Sequence, residues 1–291
     1  MFKSSVDAVT FTFNEERYIG ELIDSIANQS HKVRKIIVCD DFSTDNTKRV
    51  ILEKKIFYDG VIEIQLLENQ KKGKVYAYEL ALNNVDSDYF FVCGGDDVVE
   101  QNYVSNMLNF LNNNSIDYAY ANPIWCDEKL QPLRKIKKKN YYSFDDLLYA
   151  NWTGGFLFGK SKILRNFLPF PEGLEFEDWY VGLLLAKKYE KSYVSDKVKY
   201  LYRRHENATT SVITKEKQIS LIERDIRFYS FMLSMGVEEK FIKARKLSLR
   251  ARLIKLNFDD FLYVIKARNF SIKEKLKVIY FQFYKKRLYK L

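Results

Sequence analysis

An α/β fold built on a mostly parallel sheet, Rossmann-like with three α/β/α layers and a C-terminal helical extension, is the expectation from this sequence. Three observations carry it. Apolar runs with strand character alternate with segments of helical periodicity, polar residues collect immediately after those runs, and from residue 215 onward only helical patterns occur. Continuously apolar strands that alternate with helices belong to sheets covered on both faces. Such sheets bind ligands at the carboxyl ends of their strands, where strand order reverses.

Residues 6–13, VDAVTFTF, read as the first strand. In the following NEERYIGELIDSIANQ, Ile19, Leu22, Ile23 and Ile26 recur at helical spacing, with Asn14 as the expected N-cap and Glu15 and Glu16 in the first turn. The second strand, 35–39, ends on Asp40 and Asp41, and FSTDNT opens a helix running to Ile56. The order repeats with a strand at 61–67, a helix at 74–84 and a strand at 89–93, which breaks on Gly94 and Gly95 before Asp96 and Asp97. Beyond it come a helix at 101–113, a short strand in DYAYAN, the lysine-rich RKIKKKNYY that reads as a solvated loop, and the glycine-bearing NWTGGFLFGK. LEFEDWYVGLLLAKKY reads as a helix whose entrance carries Glu177 and Asp178, and YLYRRHENATTS follows. The expected division is a body over 1–214 and a helical extension over 215–291.

The 291 residues carry 48 Lys and Arg against 38 Asp and Glu, and 47% are hydrophobic, ample for a substantial core. Residues 215–291 hold 20 Lys and Arg against 8 Asp and Glu, while residues 1–214 hold 28 against 30, so the basic character belongs to the extension. Cys39, Cys93 and Cys126 lack paired spacing and read as reduced core thiols of a cytoplasmic protein. No adequate apolar stretch develops near the N-terminus and no run of about 18 apolar residues occurs, so neither a signal peptide nor a membrane span is expected.

Asp96 and Asp97 pose the chemical question. Two adjacent carboxylates beside a core are costly unless a cation or donors compensate. They form either a polar turn or a site for Mg²⁺ or Mn²⁺, which carboxylates hold together with substrate phosphates. Asp178, between Phe176 and Trp179, is either a carboxylate favoured by the helix dipole or one placed in a partly dry pocket to accept a proton. His205, beside Arg203 and Arg204, is either solvated or faces an anion or a metal.

Taken together, TFNEERYIGELIDSIANQS, IIVCDDFSTDNT, KGKVYAYELAL, YFFVCGGDD, FEDWYVGLLLA and YRRHENATTS resemble a family 2 glycosyltransferase of the GT-A fold, over roughly residues 6–212. The resemblance implies an inverting transferase that moves a sugar from a nucleotide diphosphate sugar, UDP-linked by expectation, to a saccharide or lipid-linked saccharide. Phe11, Thr12, Phe13, Asn14, Glu15, Asp40, Asp41 and Lys74 would hold the nucleotide. Asp97 would be the principal ligand of a divalent metal, Mn²⁺ or Mg²⁺, with Asp96 reaching ribose or diphosphate as well as the metal, and His205 completing the shell. Asp178 would be the catalytic base, and Trp152, Gly154, Gly155, Glu177 and Trp179 would line the acceptor side. Gly94 departs from the pattern, since many relatives carry a further aspartate there.

A glycoside hydrolase is disfavoured because adjacent aspartates lack the separation that chemistry uses, and a nucleic-acid binder because the acidic metal-type site in the body would repel phosphate in the absence of cation. A non-catalytic nucleotide or glycan binder of the same fold is the alternative. In the extension, Ile272, Leu276, Ile279, Phe283 and Leu288 alternate with lysines. That pattern fits either an amphipathic helix on an anionic membrane, at the inner face of the cell membrane, or one packed on protein. A homo-oligomer is left open.

Overall fold

The computed structural model describes residues 4–135, 139–206, 214–253, 256–267 and 270–283. They fall into two compact units, Met1–Glu172 with Phe176–His205, and Gly173–Glu175 with Glu206–Leu291. Most of the ENATTS segment, from residue 207 on, lies outside the described residues.

In the first unit the chain runs β1 (Val6–Thr12), α1 (Ile19–Ala27), β2 (Lys35–Asp40), α2 (Thr47–Phe57), β3 (Glu63–Glu68), α3 (Lys74–Leu82), β4 (Tyr89–Gly94), β5 (Val98–Val99), α4 (Tyr103–Asn114), β6 (Tyr118–Ala121), β7 (Ile124–Cys126), β8 (Pro132–Lys135), β9 (Tyr141–Tyr142), α5 (Phe144–Tyr149), β10 (Leu157–Lys160), α6 (Glu177–Tyr189), β11 (Ser192–Ser195) and β12 (Tyr200–Arg203). An eight-stranded sheet has the order β3-β2-β1-β4-β10-β6-β11-β9. Strands β3, β2, β1 and β4 are parallel, and β10 enters antiparallel between β4 and β6. Helices cover both faces. Val6 and Ala8 pack with Leu22, Ile26 and Met107 in one core, while Phe11, on the opposite face of β1, meets Tyr78 of α3 at a ring separation of 5.3 Å. The chain winds from β1 through β2 to β3 and then crosses back to lay β4 on the other side of β1, so strand order reverses between β1 and β4.

Helix α1 begins later than expected, and Asn14 does not cap it. Its residue is in the left-handed region at φ 55°, and its Oδ1 accepts from the Thr44 amide at 2.8 Å, tying the turn to the loop after β2. Asn tolerates this conformation better than most residues. Glu15 starts the turn instead, its carbonyl accepting from the amides of Tyr18 and Ile19 at 2.9 and 3.0 Å. A second sheet, β5-β12-β7-β8, was not expected; its strands are too short to show a period. The three cysteines are buried free thiols.

The second unit contains α7 (Lys215–Phe231), α8 (Glu239–Arg250), α9 (Phe258–Lys266) and α10 (Ile272–Phe283). A small core of Ala244, Leu247, Ala251, Leu256, Val264, Phe270 and Val278 joins the last three. Among the described residues no helix is long and apolar enough to cross a membrane.

Candidate active site

Parallel pairing sets Phe11 of β1 opposite Gly94 of β4, so the segments leaving these strands meet at the point of order reversal. Thr12 donates to Glu15 Oε2 at 2.7 Å, and the Glu15 amide donates to Thr47 at the head of α2 at 2.8 Å. The Glu15 carboxylate lies against Gly95, where any Cβ would collide with it. Burial, and next the charge of Asp96, push the Glu15 carboxyl well above the usual carboxylate range. A Cβ on Gly94 would lie 2.8 Å from Asp96 Oδ1 and 2.9 Å from Asp97 Oδ2, so a side chain there would crowd the pair. The departure at Gly94 thus has a steric counterpart.

The second sheet completes this corner. Antiparallel pairing of β12 with β5 sets Tyr200 opposite Val99 and carries Arg203 and His205 back to the aspartates. Asp97 is 2% exposed and both of its oxygens are taken: Oδ2 accepts from the Tyr200 hydroxyl at 2.6 Å and Oδ1 from the Arg203 amide at 3.0 Å. Burial and then Asp96 nevertheless push its carboxyl well upward. Asp96 is different. Its Oδ2 lies 3.0 Å from His205 Nε2, and the His205 ring packs 4.9 Å from Tyr18. Arg203, itself buried, pairs with Glu21, donates to the carbonyls of Asp96 and Glu128, and stands 4.6 Å over the Tyr18 ring.

At the head of α6 lies the other acidic pair. Glu177 is 2% exposed and its Oε1 meets Lys74 Nζ at 2.6 Å. Burial raises the Glu177 carboxyl, with Lys74 opposing. Burial works against charge on Lys74 too, but Glu177 and Asp178 raise its ammonium above the ordinary lysine value. Lys74 also stands 5.2 Å over the Phe11 ring, connecting the end of β1 to this pair. Asp178 is half-buried, accepting from the Trp179 amide at 2.8 Å. The Trp179 indole is buried and donates to the Leu147 carbonyl at 2.7 Å. Glu177 and Trp179 are therefore both buried and bonded within the protein.

The other expected residues divide between anchors and open surface. Asp40 is buried, with Oδ2 accepting from the Ser43 amide at 3.0 Å, and Asp41 Oδ1 accepts from Asn69 and from the Gly73 amide at 2.8 Å each. These bonds shape the rim from within. Phe13 and Phe42 stand 44% exposed beyond it, and Lys72, absent from the expected set, lies 5.3 Å over the Phe13 ring. Trp152 is 45% exposed and stacks on Tyr142 at 6.1 Å and 7°. Gly154 has φ 64°, and its amide donates to Asn151 at 3.0 Å. Nothing lies within 4 Å of a Cβ on Gly155. A Cβ on Gly182 of α6 would lie 2.8 Å from buried Thr153, so this strip packs on the helix whose first turn carries Asp178.

Among the described residues no group of three or more His, Cys, Asp or Glu side chains is arranged to hold a metal ion. The donor set nonetheless fits one: a carboxylate and an imidazole 3.0 Å apart suit Mn²⁺ when substrate phosphates complete the shell.

A protein-family model, Glycosyl transferase family 2, matches residues 7–168. The chain is 30% identical over 183 residues to the E. coli UDP-Glc:alpha-D-GlcNAc-diphosphoundecaprenol beta-1,3-glucosyltransferase WfgD, covering 62% of this chain and 70% of that one. Its fold is that of S. aureus TarS 1–349 in complex with UDP-GlcNAc, at a TM-score of 0.61 and 17% identity over 96% of this chain and 87% of that one. It is also that of the mannosyltransferase PcManGT from Pyrobaculum calidifontis in complex with GDP-Man and Mn²⁺, at a TM-score of 0.61 and 16% identity over 97% and 74%.

Proposed function

The chain belongs to glycosyl transferase family 2, and on that premise we propose that it is a metal-dependent, inverting enzyme of bacterial surface polysaccharide synthesis. It takes a sugar from a nucleotide diphosphate donor, UDP-linked in the first instance, and transfers it to a hydroxyl of a saccharide or lipid-linked saccharide. The observation that carries this reading is the meeting of Asp96 with His205 at the order reversal of the sheet, in a corner whose carboxylates outnumber its cations.

Asp96 and His205 would hold the divalent cation. When bound, the cation supplies Lewis-acid stabilisation of the charge that develops on the departing diphosphate. This assignment reverses the expected order of the two aspartates. Asp97, with both oxygens committed to Tyr200 and Arg203, orients the turn from behind. Phe11, Thr12, Phe13 and Asn14, with the loop that Asp40 and Asp41 brace, border the nucleotide. Asp178 takes the proton of the acceptor hydroxyl as that oxygen attacks C1 opposite the diphosphate, which inverts the anomeric centre. Trp152 offers a ring face to the acceptor, and Gly154 and Gly155 leave room beside it. Glu177 holds Lys74, keeping a cation next to Asp178.

The test is a screen of UDP-glucose, UDP-galactose, their N-acetyl forms and GDP-mannose with Mn²⁺, monitoring nucleoside diphosphate release. Release from a UDP-sugar that a chelator abolishes is expected. Release unaffected by the chelator would overturn the metal assignment, and selective release from GDP-mannose would overturn the choice of UDP.

A further inference from the structure

Helix α10 carries apolar residues on two faces. On one, Val278 and Gln282 are buried, Gln282 exchanges hydrogen bonds with the Leu256 backbone at 3.1 and 3.0 Å, and Glu274 meets Arg245 at 2.6 Å. On the other, Ile272 is 78%, Leu276 58%, Tyr280 50% and Phe283 59% exposed. Their spacing of three or four residues makes one continuous stripe along the helix. Lys273 and Lys277 are exposed beside it. A stripe of large apolar side chains in water marks a contact surface.

The charge around it selects the occupant. With 20 Lys and Arg against 8 Asp and Glu in residues 215–291, two copies of this face would bring like charge against like charge. An anionic bilayer instead offers lipid for the stripe and phosphate for the lysines. We propose that α10 lies on an anionic membrane surface, with Ile272, Leu276, Tyr280 and Phe283 inserted at the headgroup boundary and Lys273 and Lys277 against lipid phosphate. The face differs from the one read in the sequence: Tyr280 belongs to it, Ile279 is half-buried, and Leu288 lies outside the described residues. This binding is independent of sugar transfer and is measured without donor, so its failure would leave the proposed reaction untouched.

The experiment is flotation of the full chain with vesicles of phosphatidylcholine alone or mixed with phosphatidylglycerol. Binding to the anionic vesicles, reversed by high salt, is expected. Ile272→Ser/Leu276→Ser should weaken it about tenfold or more with an unchanged melting curve, because both side chains are exposed in the protein alone. Lys273→Gln/Lys277→Gln should weaken it about fivefold per lysine and serves if the first variant fails to fold. Equal flotation on neutral and anionic vesicles, or wild-type flotation of both variants, would overturn the proposal. So would a dimer in sedimentation velocity that the serine variant dissociates, which would assign the face to a second copy of the chain.

Discussion

Two pairs of adjacent acids, Asp96–Asp97 and Glu177–Asp178, stand in the same protein in contrasting electrostatic settings. In each pair one member is 2% exposed and tied to protein, Asp97 to Tyr200 and Arg203, Glu177 to Lys74. The other member, Asp96 or Asp178, is less buried. What differs is the compensation. Glu177 is met by a full cation, whereas Asp97 is met by a hydroxyl and an amide, and Glu15, half-buried, adds a further carboxyl nearby. Burial and mutual repulsion therefore oppose ionising the first corner unless a cation arrives, whereas one member of the second pair already has Lys74 beside it. The lesson is that the uncompensated corner is the one suited to an incoming cation, and the compensated one is suited to a base that works without it.

That contrast can be broken by substitution. The largest effect is expected at the less buried member of the second pair: Asp178→Asn should lower turnover by about 10²- to 10⁴-fold while nucleotide and Mn²⁺ affinity stay at wild-type values. Steady-state rates with a binding titration would check this, and a parallel loss of Mn²⁺ affinity would merge the two corners. Lys74→Met should come next. It leaves Glu177 buried without its cation and should cost about 1–3 kcal/mol, less than a fully enclosed pair because Lys74 is 45% exposed. Adding Glu177→Gln should recover most of that loss in denaturant unfolding. The smallest effect is expected for Tyr200→Phe, which frees one oxygen of Asp97 and should cost about 1–2 kcal/mol. If Asp97 only orients the turn, Mn²⁺ affinity should then change far less than it does on substituting Asp96.

Much of this is legible in the sequence itself. The apolar strands and helical periodicities are local signals, so the alternating elements from Val6 to Gly94 lie within a few residues of their expected places. The choice between members of each acidic pair was not legible in the same way. Asp97 finds Tyr200 and Arg203 more than a hundred residues away, through a β5–β12 pairing of two strands too short to announce themselves. Glu177 did carry a faint signal, since it heads a stripe with buried Val181 and Leu185 at helical spacing, whereas Asp178 heads one of small residues, Gly182 and Ala186. Asn14 misled because a polar residue before a helical pattern reads as a cap. Its side chain found a better partner in Thr44, across the sheet end, which no local pattern records.

The central claim is that Asp96, with His205, supplies the protein ligands of the cation. It is tested most directly by Mn²⁺ titration followed by electron paramagnetic resonance in the presence of UDP. The account predicts one UDP-dependent Mn²⁺ site in the wild-type protein, weakened about a hundredfold or more in both Asp96→Asn and His205→Ala and nearly unchanged in Tyr200→Phe. Wild-type Mn²⁺ binding by Asp96→Asn would contradict it.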